Sequence, residues 1–153
     1  MRKIYTFGVL FLFLFAGLVM AEPIAKHLLD AEPEEALKFN AEKWFQDHPI
    51  EEGKIARAET VFKSPRVQVV FFRMKGAPLG RHIHTQVDEV VYVVKGKGEQ
   101  YVNGKWVPIQ AGDFHTSPRG VAHGGRTNGE EELWMILVFT EPLQPAGDRA
   151  MIE

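Results

Sequence analysis

The chain has no cysteine, which excludes disulfides and thiolate metal sites; any metal must be held by nitrogen and oxygen. An excess of positive charge is also missing. Lys and Arg number 18 against 20 Asp and Glu, a net charge of −2 with histidine neutral. Without a basic patch, nucleic acid is a poor partner, because phosphate neutralisation supplies most of that affinity. An anionic membrane surface is a poor partner for the same reason. Internal repeats and low-complexity runs are absent. What remains is ordinary for one globular domain: 153 residues, 45% hydrophobic and 25% charged.

The start of the chain is different in kind. Arg2 and Lys3 precede an almost wholly apolar stretch from Ile4 to Met20, and Val19-Met20-Ala21 offers small residues at the offsets of a cleavage site. This layout predicts a signal peptide over 1–21 and export to the periplasm or medium. The alternative is an uncleaved membrane anchor, since the run approaches the length of a short spanning helix. No cysteine follows it, so a bacterial lipid anchor is excluded. Cleavage would remove two basic groups and no acidic one, leaving a net charge of −4.

Asp30 to Glu35 places a proline and several acids where a helix begins, and Leu37, Ala41, Trp44 and Phe45 recur at helical spacing until Asp47-His48-Pro49. One amphipathic helix over 33–46 is expected, within an N-terminal extension of residues 22–60. From Val61 onward, runs of Val, Ile, Phe, Tyr and Trp are broken every eight to twelve residues by turn residues. Strands are expected near 61–63, 67–74, 81–85, 89–94, 99–103, 105–109, 113–117 with 121–127, and 132–140. Asn103-Gly104 and Asn128-Gly129 mark tight hairpins, because both central positions of a type I′ turn need positive φ. The fold class is therefore all-β: a jelly-roll barrel over 61–141, followed by a C-terminal tail at 142–153.

Within this frame stands GAPLGRHIHTQVDEVVYVVKG. Alternation along a strand points His82 and His84 to one face. Glu89 lies an odd number of residues further on, and the polar break Thr85 to Asp88 resets the parity to bring it inward on the next strand. Two imidazoles and a carboxylate on neighbouring strands suit a first-row metal with positions left open. A lone His-x-His is weak evidence, and its weight comes from the surroundings. Gly76, His82, His84, Glu89 and Gly96 are separated by five, one, four and six residues; Gly112, Pro118, Gly120 and His123 recur downstream inside GDFHTSPRGVAHGG.

These two stretches resemble the two motifs of the cupin family. The one departure is an asparagine displaced from position 127, which holds Thr127, to Asn128. The fifteen residues between Gly96 and Gly112 match the short spacing of compact bacterial members. The resemblance covers about residues 61–140 and implies a double-stranded β-helix with a divalent metal inside, held by His82, His84, Glu89 and His123. Fe(II) or Mn(II) is favoured by that likeness, with Zn or Ni as alternatives. It further implies a small-molecule substrate or ligand and a homodimer paired through strand exchange.

Other residues carry less. His115 is the one candidate for an acid/base role, weighed against a half-exposed bystander. Arg81, Gln86, Tyr101, Trp106 and Phe114 either reach the cavity or pack the barrel, core being the better reading for the aromatics. Tyr92 is expected to point away from the metal. His27 and His48 are expected in solvent, and Glu130 to Glu132 on a solvated rim. Cupins include dioxygenases, decarboxylases, isomerases, lyases and proteins without turnover, and fold does not choose among them. The expectation is a dioxygenase-like metalloenzyme; the alternatives are a non-catalytic binder and a redox-silent enzyme using the metal as Lewis acid.

Overall fold

Ten strands and one helix are placed among residues 38–76, 78–127, 129, 131–144 and 148–152, which the computed structural model describes. The expected signal segment, His27, Asn128 and Glu130 lie outside the described residues. The helix, α1 (Ala41–Asp47), covers the later part of the expected 33–46, whose residues 33–37 lie outside the described residues. Residues 38–40 are not helical, because Asn40 takes the capping position: its side chain accepts a hydrogen bond from the Lys43 amide at 2.8 Å. At the other end His48 is not a free surface group. Its Nδ1 donates to the Trp44 carbonyl at 2.7 Å and its ring stacks on Trp44 at 4.1 Å.

The strands are β1 (Ala56–Ser64), β2 (Val67–Met74), β3 (His82–His84), β4 (Glu89–Lys95), β5 (Lys97–Val102), β6 (Lys105–Gln110), β7 (Phe114–Ser117), β8 (Gly124–Arg126), β9 (Leu133–Phe139) and β10 (Arg149–Met151). Strand pairing therefore begins at Ala56, five residues earlier than the expected barrel start. It also continues past position 141, because β10 lies inside what reads as a tail. One layer has the order β1-β2-β9-β4-β7. The other is built from β6-β5-β8 and β10-β3, joined by the bridges Pro78↔Arg126 and His82↔His123. This is the expected jelly roll of two facing layers.

Turn chemistry accounts for the sharpest connection. Val102 pairs with Lys105, and Asn103 and Gly104 between them have φ of 49° and 84°, the twist that a two-residue hairpin requires. Gly96 is fixed by space as well as by its φ of 86°, since a Cβ there would run into the Glu132 carbonyl.

Burial separates two faces of the five-stranded sheet. Phe72 and Met74 point inward and pack with Val91, Val93, Ile109, Leu133 and Met135. Phe71, one position out of phase, points outward against Phe45 and Trp134. Helix α1 thus covers part of the outer face, which is why β2 is buried on both sides. Arg73 fastens that cover: it is buried, donates to the carbonyls of Phe45 and His48, and pairs with Glu132. Glu132 also accepts the Trp134 indole N–H at 2.7 Å, so it is a structural acceptor rather than a solvated rim residue.

Candidate metal centre

Strand β3 is three residues long, and both its histidines are buried on one face. Its two edges bring the remaining parts of the site. On one edge, His82 and His123 exchange backbone hydrogen bonds, His82 N to His123 O at 2.8 Å and His123 N to His82 O at 2.9 Å. That bridge carries a residue forty-one positions away to the side of His82. Gly124 permits the approach, because a Cβ there would press on the carbonyls of Leu79 and Gly80. On the other edge, β10 pairs Arg149 with His84 and Met151 with His82. Glu89 opens β4 in the facing sheet, buried there and on the same face as Val91 and Val93.

The outcome is a cluster in which one ligand atom from each of His82, His84, Glu89 and His123 lies within 4.8 Å of all the others. Ring orientation follows from what each Nδ1 does. His82 Nδ1 lies 3.0 Å from the Gly80 carbonyl, His123 Nδ1 2.8 Å from the Val121 carbonyl, and His84 Nδ1 3.2 Å from Asp148 Oδ2. Each of these partners accepts, so each Nδ1 carries the hydrogen and each Nε2 turns a lone pair inward. Holding the outer nitrogen this way is how proteins orient metal-binding histidines.

Two atoms make the case for a cation. Glu89 Oε2 and His123 Nε2 are both fully buried and lie 2.8 Å apart, with no other hydrogen-bond partner among the described residues; His84 Nε2 stands 3.8 Å from Glu89 Oε2. Two lone pairs at that distance repel unless a positive charge stands between them. In the metal-free protein a proton takes that place. Burial opposes charge on His123, but the Glu89 carboxylate and the Val121 carbonyl override it and raise its pKa. Burial likewise pushes Glu89 up, and the three histidines outweigh it, so its pKa is lowered. His82 has no carboxylate hydrogen bond, and burial outweighs the Gly80 carbonyl and the Glu89 charge to take it down to about 4. The donor set of neutral imidazoles and one carboxylate fits a divalent transition ion.

His82, His84 and Glu89 line a cavity of about 300 Å³, at the lower end of the range for small-molecule sites. Its walls are Val70, Phe72, Leu79, Leu137, Phe139 and Leu143. A larger cleft of about 480 Å³, bordered by Lys97, Glu99, Asp113 and Glu131, shares no residue with the cluster.

The structure places the remaining sequence candidates as follows. His115 is half-buried: it stands opposite Val91 in the β4–β7 ladder, with both ring nitrogens buried and without a hydrogen-bond partner among the described residues. Burial lowers its pKa, so it is neutral. It does not line the cavity beside the ligands. Gln86 is exposed, and only its backbone reaches the site region, donating to Asp148 Oδ1. Tyr101 and Trp106 pack against each other outside the cavity, beneath Arg81 and Arg126 respectively. Phe114 is 64% exposed, contrary to a core role. Tyr92 points outward, as alternation requires.

Sequence reasoning missed Asp148 and Arg149. Asp148 is almost fully buried; besides holding His84 it accepts the Gln86 amide at 3.0 Å, and its carbonyl accepts Thr85 N at 2.8 Å. The available signal was slight: a turn-like Pro145 to Gly147, then the short alternation Arg-Ala-Met.

Residues 70–139 match the cupin domain family. An oxalate-binding protein of Thermotoga maritima is 36% identical over 73 residues, or 46% of this chain and 60% of that protein's length. An uncharacterized protein of Aquifex aeolicus is 28% identical over 106 residues, or 67% of this chain and 84% of that one. Among solved structures, a conserved protein with a double-stranded β-helix domain from Klebsiella pneumoniae has a TM-score of 0.63 at 22% identity, covering 78% of this chain and 99% of its own. KdgF from Halomonas sp. has a TM-score of 0.55 at 22% identity, covering 63% and 90%. At such identities the structural likeness concerns the fold alone.

Proposed function

Through residues 70–139 the chain belongs to the cupin superfamily, and from that premise we propose that it is an exported metalloenzyme of the dioxygenase type acting on a small organic substrate. The observation that carries this reading is the buried set His82, His84, Glu89 and His123, the first three of which open onto a 300 Å³ cavity. Four protein donors leave two places on a six-coordinate ion for exogenous ligands. A bound Fe(II) would supply oxygen activation there, and Mn(II), Zn(II) or Ni(II) would supply Lewis acidity. The chain's own part is to hold the three Nε2 lone pairs and the carboxylate in place, and to keep bulk water away with Leu79, Leu137 and Phe139.

Elemental analysis of protein purified from its own host, followed by oxygen uptake with catechols, flavonols and thiols, tests the proposal. Uptake that depends on bound iron is expected. Iron-loaded protein that consumes no oxygen across such a panel would overturn the dioxygenase reading. One finding favours a second reading, a non-catalytic binder: the Thermotoga maritima relative is named for binding oxalate. Tight binding of small molecules without turnover would select it, and product formation under anaerobic conditions would select a Lewis-acid lyase, isomerase or decarboxylase.

Export rests on the basic start, apolar run and Val-Met-Ala site of residues 1–21; the secreted protein should begin at Glu22 by N-terminal sequencing. A homodimer is supported by Tyr92 and Phe114, which oppose each other on β4 and β7 with 44% and 64% exposure.

A further inference from the structure

We infer that the cavity beside the metal cluster is a carboxylate site, in which Arg149 anchors the acid group of a small monocarboxylate whose apolar body lies against Leu79, Leu137 and Phe139. The inference rests on the metal-centre reading for its charge balance, and on Arg149 for its chemistry.

Arg149 is the cation among the cavity's lining residues. Strand pairing puts it opposite His84, on the face that carries the ligands. Its Nη2 lies 3.3 Å from His82 Nδ1, but that nitrogen already gives its hydrogen to the Gly80 carbonyl at 3.0 Å and has no lone pair to offer. The guanidinium therefore has no acceptor among the described residues while standing at the edge of the site. Other polar side chains on the walls already have protein partners. Glu59 takes two hydrogen bonds from Arg57, at 3.1 and 2.8 Å. Gln68 donates to Thr60 Oγ1 at 2.8 Å and accepts Leu143 N at 2.9 Å. Arg149 is what remains to recognise a ligand, and its planar fork suits a carboxylate.

Charge points the same way. A divalent ion together with Arg149 outweighs the carboxylates of Glu89 and Asp148 by one positive charge. With Glu59 balanced by Arg57, a monoanion brings the site to neutrality, bridging the buried ligand cluster and Arg149, which is exposed at the rim. The walls otherwise offer apolar surface, which a second charged group on the ligand would have to desolvate against.

The test is calorimetric, on the full chain loaded with Zn(II), using acetate, 4-methylpentanoate and phenylacetate with the amides of the last two acids. The two larger acids should bind more tightly than acetate, and each amide about 10–100-fold more weakly than its acid. Arg149→Gln should lose the same factor for the acids while its zinc content stays that of the parent, and Arg149→Lys should recover part of it. Equal binding of acid and amide, no loss in Arg149→Gln, or no measurable binding of any acid would overturn the inference. If the parent takes up no zinc, the metal-centre reading fails instead, so the two failures are told apart.

Discussion

His84 faces two carboxylates at once. Its Nε2 lies 3.8 Å from Glu89 Oε2 and its Nδ1 3.2 Å from Asp148 Oδ2. The first partner shares the proposed ion with it; the second fixes the ring that delivers the lone pair. These roles predict a graded series. His84→Ala should lose bound metal while circular dichroism shows the barrel intact, and unchanged metal content would refute the ligand assignment. Asp148→Ala should weaken metal binding about 10–100-fold. Asp148→Asn should cost less, because its amide oxygen still accepts the Nδ1 hydrogen. Calorimetric titration separates the three, and an Asp148→Ala protein with parental affinity would remove Asp148 from the site. Protonation adds a second prediction. The raised pKa of His123 means that its proton is held from above the usual histidine value downward in pH, and the ion must displace it. Apparent affinity should therefore fall about tenfold per unit as pH drops below that value, and more steeply near 4, where His82 also takes a proton. A flat affinity between pH 5 and pH 7 would sink this account.

Among the elements, those whose form is decided by neighbours in sequence were readable beforehand. The β5–β6 hairpin is the clearest, because Asn103-Gly104 supplies both positive φ values and the register follows from them. The clustering of the four candidate ligands was readable too, since strand alternation puts His82 and His84 on one face and family spacing supplies Glu89 and His123. Elements decided by distant partners were not. Helix α1 begins at Ala41 because Asn40 caps it, a boundary that periodicity does not show. Glu132 reads as one of three surface acids, yet it is claimed by Arg73 and Trp134, one of them fifty-nine positions away. That link yields a prediction for helix α1. Arg73 satisfies the carbonyls of Phe45 and His48, and Phe45 is fully buried. Arg73→Met keeps the bulk and removes the donors. It should lower stability by about 2–3 kcal/mol, seen as a lower urea midpoint at unchanged slope. A midpoint equal to the parent's would show that water satisfies those carbonyls instead.

For the whole molecule, the informative segment is the one that local reading treats as a tail. Its Pro-Gly composition and charged end give no hint that it returns to the sheet, because a three-residue strand has too few positions to show alternation. Yet β10 closes the exposed edge of β3, with Thr85 N bonded to Asp148 O at 2.8 Å and Ile152 N to Arg81 O at 3.0 Å. It contributes little to the core: Met151 is 60% exposed, and none of the inward cluster around Val93 and Leu133 belongs to it. Stability and site geometry should therefore come apart when it is removed. A chain ending at Gln144 retains Leu143, whose amide stays tied to Gln68, and keeps all four candidate ligands. It should still melt cooperatively with the sheet signal of the parent. Its metal affinity, however, should fall further than that of Asp148→Ala, because β3 loses its backbone ladder on one side as well as the carboxylate that orients His84. Calorimetric titration of the truncated chain beside Asp148→Ala decides it, and equal affinities would mean that Asp148 alone carries the contribution of β10.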